Sequence, residues 1–140
     1  MQIPGHLAVA LLQERLLLPG EARASAPVLL IASLFPDVVD KTIGYVFHFM
    51  PNGRHYSHNI FSLLLISGGV TLLGGRRAGY AWFIGHLGHL LADCGDLMPW
   101  FFPLKRYPFV KGRLKFVPAR LLRESLWLGL VLIARRLLPR

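Results

Sequence analysis

The chain has 140 residues, 54% of them hydrophobic and 16% charged, with 16 Lys and Arg against 7 acids for a formal charge of +9. That length suits one domain covering 1–140, and the charged fraction falls below the roughly one quarter usual in soluble domains. The apolar surplus exceeds what a core of this size can hide, so a membrane or a large partner must cover part of it; the single Cys94 excludes an intrachain disulfide and any CxxC metal site.

Five helical segments are predicted. The first covers residues 6–18, with Pro4 and Gly5 before it and Pro19-Gly20 closing it. The second covers 26–35, with Pro27 in its first turn and Pro36 just past its end. A connecting stretch, 37–57, is apolar at 43–50 and turn-like at Pro51-Asn52-Gly53. The third helix covers 58–73 and is broken by Gly74-Gly75. The fourth covers 79–98 and is ended by Pro99; a basic, Pro-containing stretch over 101–118 leads to the last helix at 119–138. Strand-type alternation and repeats are absent, so the fold class is all-α.

Spanning a bilayer takes about 20 residues. The third, fourth and fifth segments approach that length, whereas the first two must pack against the others or lie at the interface. The expectation is a compact, membrane-embedded bundle of about five helices, integral to the inner (cell) membrane. The start lacks a basic n-region, and Glu14 and Arg15 interrupt its apolar run, so it reads as a retained segment and not a cleaved leader. The basic residues flank apolar segments and form no single charged stripe, which argues against nucleic acid and for anionic lipid head groups as partners. Lys105, Arg106, Lys111, Arg113, Lys115, Arg120 and Arg123 would contact those head groups or set topology, and Trp82, Trp100 and Trp127 fit interfacial anchoring.

The rare polar residues are not scattered. The four Asp form two pairs, Asp37/Asp40 and Asp93/Asp96, each three apart. Acids in an apolar protein are costly to bury unless they are paired or bind metal. His86, His89, Asp93 and Asp96 fall within an arc of about 80° on one helix, and His89 and Asp93, four apart, can share one ion. If short connections make successive helices antiparallel, His6, Asp37, Asp40, His58, His89 and Asp93 gather at one end of the bundle. Mixed nitrogen and oxygen donors suit Zn, Mn or Fe, and one to three divalent ions would fit. Each residue alone has an ordinary reading: Asp37 and Asp40 as helix caps after Pro36, His89 with Asp93 as a buried hydrogen bond, His58 as a flanking residue. Their convergence is what favours metal. His55 and His86 would support the ligands from outside. His48 reads as packing, and Arg54 as either a phosphate grip or a lipid-facing snorkel.

The motifs Gly5-His6, Leu34-Phe35-Pro36-Asp37-Val38-Val39-Asp40-Lys41, Gly53-Arg54 with Ser57-His58, and Gly85-His86 with His89-Leu90-Leu91-Ala92-Asp93 resemble those of the YdjM-type membrane-bound metal-dependent hydrolases. Pro99-Trp100-Phe101-Phe102-Pro103 resembles the aromatic stretch after that family's final motif, and the likeness covers about residues 5–110. It implies a helical membrane protein with a metal site at His6, Asp37, Asp40, His58, His89 and Asp93, similar in fold to zinc-dependent phospholipase C and the P1-type nucleases. One departure is that Gly53-Arg54-His55-Tyr56 stands where many members carry His-Arg-Gly, which displaces His55 and leaves Arg54 as the matching base.

These readings converge on a metal-dependent phosphoesterase acting on a phospholipid or lipid-linked phosphate, with Asp40 or Asp96 as base or ligand support and Arg54 stabilising developing charge. The alternatives are a membrane scaffold or regulatory protein with a structural metal, and an oligomeric transporter fragment for which His86, deeper in its helix, is the best support.

Overall fold

The computed structural model describes residues 1–20, 25–95, 97–112 and 117–137. Among them there is no strand. The chain forms four α-helices: α1 (Ile3–Leu17), α2 (Ala26–Lys41), α3 (Ile60–Ala92) and α4 (Pro118–Leu137). A single π-helical turn, Thr42–Val46, continues α2.

Three expected boundaries are corrected. The second helix does not stop at Phe35: α2 carries Pro36 in its interior and runs on to Lys41. Pro36 cannot donate to the carbonyl one turn back, a local weakness that the flanking packing tolerates. Asp37 and Asp40 therefore sit on a helical turn, not on a cap. The fourth expected helix ends at Ala92, six residues before Met98, because Asp93 leaves the helical region (φ −99°, ψ 0°). At the start of α3 the side chain of Asn59 accepts the Ser62 N–H at 2.9 Å, an ordinary N-cap that excludes His58 from the helix.

The third and fourth expected helices are the two arms of α3, so the count is four helices and not five. They meet at Gly75, whose φ of 81° and ψ of 170° a side chain would strain. The arms fold back on each other: a Cβ on Gly79 would stand 1.8 Å from Thr71 Oγ1. By length and composition, Ile60–Ala92 is the one described helix able to cross a membrane. Its fold-back leaves arms of about 15 and 17 residues, or roughly 22 and 26 Å at 1.5 Å per residue, short of a hydrocarbon core of about 30 Å. Leu72 and Leu73 at the hairpin tip are 87% and 94% exposed. Leu122, Leu126, Leu130 and Ile133 of α4 are exposed as well. Apolar surface on this scale marks a membrane or partner contact.

Small residues let the second arm of α3 approach its neighbours. A Cβ on Gly85 would lie 2.4 Å from the Leu29 carbonyl oxygen of α2, and one on Gly88 would lie 2.2 Å from Gln13 of α1. This close approach is the usual device for packing helices where lipid replaces water. Gln13 Nε2 also donates to the Ile84 carbonyl at 2.8 Å, and Ala10, Leu18, Leu29, Ala81 and Ile84 form the core beneath. Gly85→Val should destabilise the purified protein by about 1–3 kcal/mol through overpacking against backbone. Gly69→Ala, with open space at its Cβ, should leave the thermal midpoint unchanged or slightly raised. Melting curves in detergent check both.

Candidate metal centre

Four segments end at the same place. His6 lies in the first turn of α1, Asp37 in the last turns of α2, His58 just before α3, and His89 and Asp93 at the end of α3. All five are buried, at 0–4% exposure. One ligating atom from each of Asp37, His58, His89 and Asp93 lies within 4.8 Å of the others. His6 completes the ring: its Nε2 is 3.6 Å from Asp93 Oδ1 and 3.8 Å from Asp37 Oδ2. Asp37 faces both halves, since its Oδ1 lies 3.7 Å from His58 Nε2 and 3.9 Å from His89 Nε2.

The tautomers follow from what the other ring nitrogens touch. His89 Nδ1 lies 2.7 Å from the Ser33 carbonyl, which only accepts, so Nδ1 carries the proton. His58 Nδ1 lies 2.7 Å from Asp40 Oδ2 and donates to it. In the neutral rings the two Nε2 atoms would then both carry lone pairs, 3.2 Å apart. Two acceptors at that distance repel unless a proton or a metal ion lies between them. His6 has no hydrogen-bond partner on either ring nitrogen and stacks on His89 at 3.9 Å between centroids. A buried imidazole with an unused Nε2 facing two carboxylates is a ligand waiting for a cation. The donor set therefore fits a divalent ion.

Asp40 is placed differently from the expectation that it ligates. Its oxygens accept the backbone N–H groups of His55 (2.7 Å), Tyr56 (3.1 Å), Ser57 (3.0 Å) and His58 (3.2 Å), besides the His58 ring. Burial alone would raise its pKa, but these donors hold it below the usual carboxylate range. With its oxygens so occupied, Asp40 orients His58 from behind. The ring of His55 does not reach the cluster; it packs at 4.4 Å against Phe109, with Phe102 at its edge, and only its backbone touches Asp40. His86 Nε2 donates to the Ser57 carbonyl at 2.9 Å and so braces the 57–58 segment. Asp96 lies outside the described residues.

Cations line the more open side. Arg54 Nη2 is 2.8 Å from Asp93 Oδ2, Lys41 pairs with Asp37, and the amino group of Met1 donates to Asp93. Their side chains are 24–36% exposed, whereas the carboxylates they meet are at most 5% exposed. For Asp37, burial would raise the pKa, but His58 and Lys41 outweigh it and the group stays ionised. For Asp93, burial is likewise outweighed by the Met1 amino group and Arg54. Burial lowers His6 to about 4 against the pull of Asp93 and Asp37, which leaves it neutral and able to ligate at pH 7.

Two contributors escaped the sequence reading. Lys41, four residues after Asp37, is an i,i+4 partner and could have been found by spacing. Glu124 of α4 is buried and accepts the N–H groups of Gln2 (2.8 Å) and Gly5 (3.3 Å), capping α1 and seating His6. Gly5 leaves room for this contact, since a Cβ there would lie 2.7 Å from Glu124 Oε2 and push that side chain aside. A lone acid amid the apolar and basic residues of the last helix was the available signal.

An all-α protein with extensive exposed apolar surface and a buried His/Asp cluster able to hold metal is the class that fold and site define. The chain belongs to the YdjM inner membrane protein family, whose model matches residues 1–138. Comparison with curated proteins and with solved structures returns no match.

Asp40→Asn turns an amide NH2 toward the backbone donors of 55–58 and loosens the hold on His58, so it should lower metal affinity at least about 10–100-fold; chelator competition on the purified protein measures it. A pH series gives a second test. Burial alone would lower His58, but Asp37 and Asp40 more than offset this and hold its pKa above the ordinary value in the metal-free chain. That proton must leave before Nε2 can ligate, so affinity should climb with pH up to the raised pKa and level off above it. A flat profile would remove His58 from the ligand set.

Proposed function

We propose that this protein is an integral, membrane-embedded, metal-dependent hydrolase that acts on a phosphoester. The observation that carries the reading is the pair of facing imidazole Nε2 atoms, of His58 and His89, set against Asp37 with His6 and Asp93 alongside. Mixed nitrogen and oxygen donors of this kind suit Zn²⁺, with Mn²⁺ or Fe²⁺ as alternatives. A divalent ion held there supplies Lewis acidity and a water of lowered pKa.

The chain's own groups account for the rest. Asp40 and the Ser33 carbonyl fix the two rings, so little reorganisation is needed when substrate arrives. Arg54 and Lys41, on the accessible side, present positive charge to an entering anion. Phosphate oxygens accept from guanidinium and ammonium groups, and negative charge that builds during P–O cleavage is stabilised by the same contacts. Such a rim favours a phosphoester over a neutral ester or amide. Hydrolysis places the water oxygen on phosphorus, breaks the ester P–O bond and returns a proton to the leaving oxygen.

Protein purified in detergent should carry tightly bound divalent metal and release p-nitrophenol from the simple phosphodiester bis-p-nitrophenyl phosphate. His89→Ala should lose the metal and at least 100-fold of the rate, while Arg54→Ala should keep the metal and lose rate. Bound metal with no turnover of any phosphoester would favour the non-catalytic scaffold instead. Absence of metal would end the hydrolase reading.

A further inference from the structure

Beside the cluster runs a groove of about 500 Å³, within the roughly 300–1,000 Å³ range of small-molecule sites. Its floor is one face of α2 and the following turn, where Leu34, Val38, Tyr45 and Val46 recur at helical spacing. The start of α1 and Leu121 of α4 form its walls. Asp37 and Lys41 lie in this same lining, so the groove and the metal cluster share a residue.

We propose that this groove binds the acyl chain of a bilayer phospholipid and holds that lipid's phosphate at Lys41, beside Asp37. The proposal rests on the hydrolase reading above and names the substrate class of that site. Three observations select the occupant. First, the lining is apolar on both sides of the Asp37–Lys41 pair, which matches an amphiphile and not a free anion. Val38 and Val46 are 62% and 66% exposed, so the groove opens onto the surface that an inner membrane protein presents to lipid. Second, the one cation in the lining among the described residues is Lys41, and its partner Asp37 is also a candidate ligand. An ion that engages the Asp37 carboxylate weakens its hold on the ammonium, which then has a phosphate oxygen as its natural partner. Charge complementarity at that point favours phosphate over a neutral lipid head group. Third, residues 34–46 extend for roughly 18 Å at 1.5 Å per residue, a run matched by an extended hydrocarbon chain.

The test uses phosphatidic acid with a photoreactive diazirine in its acyl chain, incorporated into phosphatidylcholine vesicles that contain the full chain. Irradiation followed by peptide mass spectrometry should place cross-links at Tyr45 and Val46. Val38→Trp fills the groove and should reduce those cross-links at least five-fold, with metal content retained as the check that the protein is folded. Lys41→Gln should abolish the preference for photoreactive phosphatidic acid over the matching diacylglycerol. Unchanged labelling in Val38→Trp, equal labelling by diacylglycerol in the wild type, or cross-links from a second copy of the chain at these positions would overturn the proposal. The readout needs no turnover. Groove labelling without phosphoester hydrolysis sinks only the hydrolase reading. Hydrolysis of a short-chain phosphodiester without groove labelling sinks only the groove.

Discussion

The structure depends on one buried carboxylate. Asp40 is 1% exposed, and an ionised acid in such a place costs several kcal/mol unless its oxygens are filled. Four consecutive backbone N–H groups, from His55 to His58, and the His58 ring fill them. Charge-assisted bonds are the strong kind, and here they bind an irregular loop to α2. Ser57 adds its hydroxyl to the Pro36 carbonyl at 3.0 Å and lends its own carbonyl to His86. The loop thereby touches α2 on one side and α3 on the other, and His58 is held at the junction. Without this anchor the loop would have no reason to turn its imidazole inward.

The same economy governs helix packing. The leucines exposed along α3 and α4 add nothing to the contacts between helices. Steric fit and polar contacts supplement two small apolar cores. Gly79, Gly85 and Gly88 remove side chains where backbones approach, and Gln13, Glu14 with Arg135, and Glu124 supply the hydrogen bonds and ion pairs between α1 and its neighbours. α4 clamps α1 near both ends, through Glu124 at the start and Arg135 toward the finish. The helix that carries His6 is thus located from outside the cluster.

Electrostatics then divides the site into an inner and an outer layer. Inside, the imidazole Nε2 atoms of His6, His58 and His89 and the carboxylates of Asp37 and Asp93 face a common space. Outside, Lys41, Arg54 and the Met1 amino group face those carboxylates from a partly exposed rim. Anions entering from that rim meet positive charge first and the donor cluster second. The apolar groove along α2 continues from the same point, so charged and apolar surfaces meet at Asp37 and Lys41.

Much of this was legible in the residues themselves. Hydrophobic periodicity with no strand alternation dictates an all-α fold, and the rarity of Asp in a greasy chain singles out 37, 40 and 93 because buried charge needs a reason. Alternating helix direction was enough to bring the ends of the segments together. Tertiary structure decided what local sequence could not. Pro36 reads as a helix stop, yet packing carries α2 through it, because a single lost hydrogen bond is small beside the contacts of a whole helix face. Gly74-Gly75 reads as a loop between two helices, yet one residue with positive φ makes the turn. The division of labour between Asp37 and Asp40 is invisible in spacing, since both lie on the same helix three apart. Only the loop that wraps Asp40 fills its oxygens with donors and leaves Asp37 facing the imidazoles, and a loop's path is set by long-range contacts that no short stretch of sequence contains.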